Sequence, residues 1–268
     1  MTRVFLAGTH GRDYVRQHAK PPYLLDSYYY LKKATDTELL KTMQYIKSDH
    51  CKMFLLDSGA FTYMEQAKKA KGKTTDNYEL YVREYAKFIN KWDIQYFFKM
   101  DIDVIVGIEK VEEYRRLLER LTGKQCVPVF HLSRGKDYWL KMIKEYDFVA
   151  IGGLANKSFP QNKYPYLKWF IKTAHEHGTK IHGLGFTKTS LMKEYTFDSV
   201  DSTTWVNVAR FGEIKTFRPK EGVIKAMKKP PNARLTNTKD AEIISAKEWI
   251  KFTRYIEKQN KLKVLGGW

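Results

Sequence analysis

Phe197-Asp198-Ser199-Val200-Asp201-Ser202-Thr203-Thr204-Trp205 is the stretch on which the fold of this chain turns. It reads as a short buried strand that ends in a carboxylate, with small hydroxyl residues around the acid and an aromatic just past it. A strand that stops at an acid points that acid into the cavity above the sheet. Five other stretches are built alike: Phe54-Leu55-Leu56-Asp57-Ser58-Gly59-Ala60-Phe61, Phe97-Phe98-Lys99-Met100-Asp101-Ile102-Asp103, Val127-Pro128-Val129-Phe130-His131, Phe148-Val149-Ala150-Ile151-Gly152-Gly153-Leu154, and Lys180-Ile181-His182-Gly183-Leu184-Gly185. Six apolar runs with polar or glycine-rich tips suggest one shared site.

Working outward, two further strands are expected at 3–7 and 23–30, the start of the second blurred by Pro21-Pro22. Thr35-Asp36-Thr37-Glu38 reads as a capping box that opens a helix with Leu39, Met43 and Ile46 on one face. Thr75-Asp76 is placed to cap a helix carrying Tyr78, Val82, Tyr85 and Ile89. Val111, Tyr114, Leu118 and Leu121 share a face of a helix that stops at Gly123, Tyr138, Met142 and Ile143 mark a short helix, and 166–177 is helical up to Gly178. Eight strand candidates, mostly separated by helices, fit a closed (β/α)₈ TIM barrel, and the length is close to the ~250 residues typical of that fold. In such barrels the chemistry sits at the carboxyl ends of the strands, where these polar tips fall. Beyond Trp205 the pattern weakens to a loop at 228–232 and an amphipathic helix at 240–259, a helical C-terminal extension. Residues 1–268 are expected to form a single domain.

With 43% hydrophobic residues the chain can bury one large core. A formal net charge of +18 favours a polyanionic partner, nucleic acid first, the plainer reading being a basic, soluble surface. Basic residues gather at Lys68, Lys69, Lys71 and Lys73, directly after one of the site stretches, and again from Lys225 to Arg234. Cys51 and Cys126 match neither a disulfide framework nor a zinc cluster, so a reducing compartment is expected. The amino-terminal apolar run is too short for a signal peptide and no stretch reaches bilayer length, which predicts a cytoplasmic protein without a membrane partner.

Carboxylates that converge on one mouth repel one another and are partly desolvated, so their protonation states diverge. Retaining glycosyl transfer uses such a pair, one acid attacking the sugar carbon and the other managing the proton. A single acid at a strand end serves equally well as a loop or helix cap. Three acid-bearing tips, two glycine-rich tips and a histidine tip together favour a site.

At these residues the chain resembles a known family. Asp57-Ser58-Gly59-Ala60-Phe61 looks like the Asp-Ser-Gly-Gly-Phe motif of tRNA-guanine transglycosylases. Gly152-Gly153-Leu154-Ala155 is similar to their Gly-Gly-Leu-Ala, Gly183-Leu184-Gly185 to their Gly-Val-Gly, and the Asp201 strand to the one bearing their nucleophilic aspartate. The motifs keep the family's order over roughly residues 4–205, and the series is more specific than any member of it. The resemblance implies base exchange: Asp201 attacks C1′ of guanosine, a covalent glycosyl-enzyme forms, and Asp57 takes a proton from an incoming 7-deazaguanine such as preQ0. Asp198 competes as nucleophile, because Phe197-Asp198-Ser199-Val200 echoes the family's Phe-Asp-Cys-Val, but the distance from the Gly-Leu-Gly turn favours Asp201. The implied base pocket takes in Phe61 as the stacking ring, Ser58, Asp101, Asp103, His131, His182 and Gly183, with backbone N–H groups around Gly152, Gly153 and Leu154 holding the base carbonyl. The implied nucleic-acid contacts are Lys68, Lys69, Lys71, Lys73, Arg134, Trp205 and Arg210.

Two departures redirect the expectation. No cysteine follows Cys126, so the family's zinc subdomain is missing, no metal or cofactor is expected, and docking of tRNA loses its usual element. His131 stands where the tRNA enzymes carry glutamine. The short zinc-less form looks like the phage and bacterial relatives that insert 7-deazaguanines into DNA, which makes DNA the expected partner, tRNA the alternative, and a host cytoplasm the location if the chain is phage-encoded. A duplex base cannot present C1′ to a buried carboxylate, so the target nucleotide would be flipped or the strand opened. Phe61, Tyr63 and Trp205 would then stack on displaced bases or, more plainly, pack in the core. Two rivals stand beside this reading: a phosphosugar enzyme using Gly152-Gly153 as a phosphate cradle, and an inert barrel that only binds nucleic acid. His175-Glu176-His177 reads as a solvated helix end, since helical residues two apart face different ways.

Overall fold

The computed structural model describes residues 2–69, 77–228 and 237–265. In chain order the elements are β1 (Arg3–Ala7), α1 (Asp13–Ala19), β2 (Tyr23–Ser27), α2 (Tyr28–Leu31), α3 (Asp36–Ile46), β3 (Met53–Asp57), α4 (Ala60–Lys69), α5 (Tyr78–Trp92), α6 (Asp103–Thr122) and β4 (Val129–Phe130). They continue with α7 (Gly135–Glu145), β5 (Phe148–Ile151), α8 (Pro165–Glu176), β6 (Lys180–Gly183), β7 (Ser199–Ser202), α9 (Asn207–Phe211), β8 (Glu213–Arg218), β9 (Val223–Lys228) and α10 (Thr238–Leu265).

Seven strands make one curled parallel sheet in the order β3-β2-β1-β7-β6-β5-β4. Beyond its two outer strands the backbone continues through isolated parallel bridges from Leu56 to Phe97 and from Phe98 to Val127. Phe98 N donates to Leu56 O at 2.9 Å and Val127 N to Phe97 O at 2.8 Å. The strand expected through 96–101 is reduced to this pair of bridges. Tyr85 braces this junction: its buried hydroxyl lies 3.0 Å from Leu56 O, which also accepts from Phe98 N, and 3.2 Å from Phe98 O.

Side chains alternate across each strand, which sorts the residues by face. Phe5, Ala7, Tyr23, Leu25, Leu55, Phe98, Val127, Val129 and Ala150 pack together inside the curl, while a much larger cluster fills the space between the sheet and the helices. Register then places the acids. Phe5 lies opposite Asp201, His182 opposite Ser199, and Ser27 opposite Asp57. Asp57 therefore shares the inner face with Leu55, and Asp201 with Ser199.

The second strand stops at Ser27 rather than continuing to residue 30. Tyr28 turns into the helical layer against Tyr81, Tyr85 and Phe88, with ring centroids 5.0–5.3 Å apart, and this packing overrides the strand propensity of three consecutive tyrosines. The capping box at Thr35 and Glu38 forms as expected, and Gly123 ends α6 in the left-handed conformation. Residues 75–76 lie outside the described residues, and Asn77 caps α5 by accepting from Leu80 N at 2.8 Å.

The end of the chain is more than a helical extension. The hairpin β8–β9 lies on α10 through Phe217, whose ring is 5.7 Å from Phe252 and 5.2 Å from Tyr255. Glu242 of α10 is buried and accepts from Arg12 Nε at 3.0 Å and from the Tyr14 hydroxyl. Asn260 Nδ2 donates to Thr2 Oγ1 at 2.6 Å, and Thr2 Oγ1 to Phe197 O at 2.6 Å. The last helix thus closes over the seam between β1 and β7. Among the described residues no helix is long and apolar enough to cross a membrane.

Candidate active site

Asp201 sits near the carboxyl end of β7, 8% exposed. Its Oδ1 accepts from Gly185 N at 2.6 Å and lies 3.2 Å from His182 Nε2, leaving Oδ2 without a hydrogen bond from the described residues. His182 is fully buried on the inner face, with Phe5, Phe98 and Phe148 5.5–6.5 Å away, and its Nδ1 lies 2.8 Å from Ser199 Oγ. With the Ser199 hydroxyl donating to Nδ1, Nε2–H faces Asp201 and holds that carboxylate in place. Gly185 reaches it only because it has no side chain: at φ +68° a Cβ would lie 2.5 Å from Ala155 Cβ. The roles of Ser199 and of the Gly185 N–H were not legible in the sequence. Their only signal is a serine two residues before the acid, which acquires meaning once β6 and β7 are known to pair.

Asp198 is at the other end of the same strand. Its Oδ2 accepts from Ile181 N at 2.9 Å and faces His175 Nε2 at 2.9 Å. This rival for the nucleophile is occupied below the sheet, away from the polar tips. His175 is correspondingly paired, a correction to the solvated helix end.

Asp57 ends β3 and accepts from Gly59 N at 3.0 Å. Burial pushes its carboxyl up to about 6; the Gly59 N–H opposes the shift, while the charges of Asp101 and Asp201 add to it. The three acids are therefore close enough for their charges to interact. Asp101 is held by His131, whose Nε2 lies 2.7 and 2.8 Å from the two carboxylate oxygens. Gly152 makes room for that ring, since a Cβ there would come within 2.7 Å of His131 Cε1. Asp103 accepts from Arg134 Nη2 at 2.8 Å and Nε at 3.2 Å. Asp101, Asp103 and His131 each offer one ligand atom within 4.8 Å of the others and, among the described residues, are a group that could hold a metal ion. In this structure the Arg134 guanidinium already supplies the positive charge at Asp103, and His131 engages both oxygens of Asp101.

Several expected contacts are placed elsewhere. Trp205 is fully buried, its Nε1 donating to Ala7 O at 2.9 Å, so it packs in the core and is closed to nucleic acid. The Arg134 side chain is likewise buried and committed to Asp103 and Tyr138, closed to phosphates. Gly152 N donates to Phe130 O at 2.9 Å and is not free to hold a base carbonyl. Gly183 is a buried member of β6, Leu154 is buried in the helical layer, and His182 lies beneath Asp201 rather than at the opening. Ser58 is buried, its carbonyl accepting from the Tyr81 hydroxyl at 2.7 Å and its Oγ from Ala60 N at 3.4 Å, at the start of α4. Phe61, by contrast, is 52% exposed one residue into α4. Tyr63 is half-buried against Tyr81 at 4.5 Å. Lys71 and Lys73 lie outside the described residues, and so do the side chains of Lys68, Lys69 and Arg210.

Lys99 is an outlier that the sequence did not flag. It is fully buried, its Nζ has no hydrogen-bond partner, and burial followed by the nearby Arg134 charge lowers its pKa. Burying an amine in this way is unfavourable. Lys99→Met is expected to stabilise the protein by about 1–3 kcal/mol at pH 7, with a smaller gain at about pH 11, above the ordinary lysine value of about 10.4, where the amine is largely neutral in the unfolded chain as well as in the fold. Urea unfolding at the two pH values checks this, and a loss of stability would mean that the amine is holding Asp101 or Glu112 in place.

No protein-family model and no curated protein sequence matches the chain.

Proposed function

We propose that the chain is a pentosyltransferase that exchanges guanine in DNA for a 7-deazaguanine through a covalent Asp201 intermediate. The seven-stranded sheet together with segment 97–98 is read here as eight staves of a (β/α)₈ barrel, with the reaction at its mouth. The observation that carries this reading is the pairing of two unlike acids. Asp201 presents one oxygen with no hydrogen bond from the described residues, while Asp57 is raised to about 6 by burial and by its acidic neighbours. A carboxyl poised near neutrality serves as acid in one half-reaction and as base in the next.

In the first half-reaction a bond forms from Asp201 Oδ2 to C1′ as the C1′–N9 bond breaks. The electron pair leaves on guanine N9, which takes the proton from Asp57. In the second, the incoming base returns a proton from N9 to Asp57 as that nitrogen attacks C1′ and frees Asp201. Phe61 stacks on the base, the Asp101–His131 pair meets its edge, and the enzyme works in the cytoplasm on a flipped or single-stranded nucleotide. The test is incubation with DNA, or with tRNA in a parallel arm, and labelled guanine or preQ0. Label is expected in DNA. Label in tRNA alone would reassign the substrate, and label in neither would remove the exchange reading.

A further inference from the structure

Beside the acids, the tips of β1 and β2 carry a second construction. His10, three residues past β1, and Tyr30, three residues past β2, stack face to face with ring centroids 4.4 Å apart and planes 5° apart. Tyr30 is 42% exposed. The support beneath this exposed pair is unusually costly. Asp26 is fully buried and accepts from Thr9 Oγ1 at 2.6 Å and from His10 N at 3.1 Å, with His10 Nδ1 3.4 Å away. Arg16, 1% exposed, donates to Thr9 O at 2.7 Å. Arg12 spans the loop, donating to Gly8 O at 3.2 Å while its Nε is held by Glu242. Buried charges are expensive to place. Here they fix a surface loop whose outward product is one flat ring pair.

Position says what that pair would meet. β1 lies between β7, which carries Asp201, and β2, whose last residue is in register with Asp57. The ring pair therefore stands on the arc of the rim that joins the two acids. Phe61 is exposed on the next tip along, and Lys33 lies three residues past Tyr30, its Nζ 3.8 Å from the Tyr29 ring centroid and donating to the Tyr29 hydroxyl at 2.5 Å. An aromatic platform next to a cation, on a chain of net charge +18, is the chemistry that binds a nucleobase and its phosphate.

We propose that Tyr30, backed by His10, is a stacking subsite for the base adjacent to the exchanged nucleotide in a DNA strand, an inference that rests on the exchange reading. The test uses single-stranded oligonucleotides with 2-aminopurine on either side of the target guanine, scored by fluorescence quenching and by anisotropy. The parent protein is expected to quench the probe at one of the two positions. Tyr30→Ala should lose that quenching and bind about tenfold more weakly, while Tyr30→Phe should retain both. An oligonucleotide lacking the base at that position should bind the parent protein as weakly as the intact strand binds Tyr30→Ala, and His10→Ala should weaken binding in the same sense. Unchanged quenching and affinity in Tyr30→Ala would overturn the subsite alone. A parent protein that binds no oligonucleotide would remove the subsite and the exchange reading together, and one that binds and quenches yet incorporates no label would remove the exchange reading and reduce the subsite to a stacking site for a base in bound DNA.

Discussion

Asp201→Ala is expected to abolish base exchange, by about 10⁴-fold or more, and to eliminate the covalent protein–DNA adduct that accumulates when no incoming base is supplied. The size of the effect follows from the role, since without a nucleophile there is no intermediate to partition. Asp201→Asn is the stricter variant: its amide oxygen can still accept from Gly185 N, which the carboxylate holds at 2.6 Å, so local geometry is kept while nucleophilicity is lost. Asp198→Asn should leave the adduct intact, because that side chain is spent on Ile181 N and His175 at the opposite end of β7. Denaturing electrophoresis with mass measurement of the adduct decides between the two acids. An adduct that survives in Asp201→Asn and vanishes in Asp198→Asn would reverse the assignment.

Asp57→Asn is expected to act on two observables in opposite directions. Exchange should fall about 10²- to 10⁴-fold, since neither half-reaction has its proton carrier. The parent's pH–rate profiles should show a midpoint near 6, as a fall on the alkaline side for the DNA half-reaction, which needs Asp57 protonated, and on the acid side for the incoming-base half-reaction, which needs it ionised; both limbs should be absent from the variant's residual rate. Stability should rise. The folded-state pKa of about 6 lies above the unfolded value of about 3.9, so ionisation of Asp57 weakens the fold as pH climbs between them. At pH 7 that loss is complete, about 2–3 kcal/mol, whereas near pH 4 it is mostly absent. The variant should therefore gain about 2 kcal/mol at pH 7 and little at pH 4, read by urea unfolding. A gain of equal size at both would point to relief of packing rather than of charge.

The Lys99 and Asp57 predictions share a logic. Each concerns an ionisable group held where water would be cheaper, and each substitution is expected to stabilise. They part at activity: Asp57 lies among the acids on the inner face, whereas Lys99 stands next to Phe98 with its backbone N bonded to Val127 O at 3.2 Å and its amine unpartnered. A Lys99→Met protein with parental exchange would mark the amine as a structural liability.

Local chemistry alone determined the strands at Arg3–Ala7, Met53–Asp57 and Phe148–Ile151, the Thr35 cap, the Gly123 stop and the ordered series of acid and glycine tips. Each depends on alternation or capping within a few residues, and that information lies in consecutive side chains. The hairpin β8–β9 escaped notice because only its packing on α10 gives it an inner face. Trp205 and Arg134 look like surface contacts in a list of residues, and only the chain folding back around them, through Ala7 and Asp103, takes them inside. The separation of Asp198 and Asp201 to opposite ends of β7 with different partners, the support of Asp201 by His182 and Gly185, and the stacking of His10 on Tyr30 are set by which strand lies beside which and in what register. That relation joins residues far apart in the chain, so it belongs to the tertiary structure.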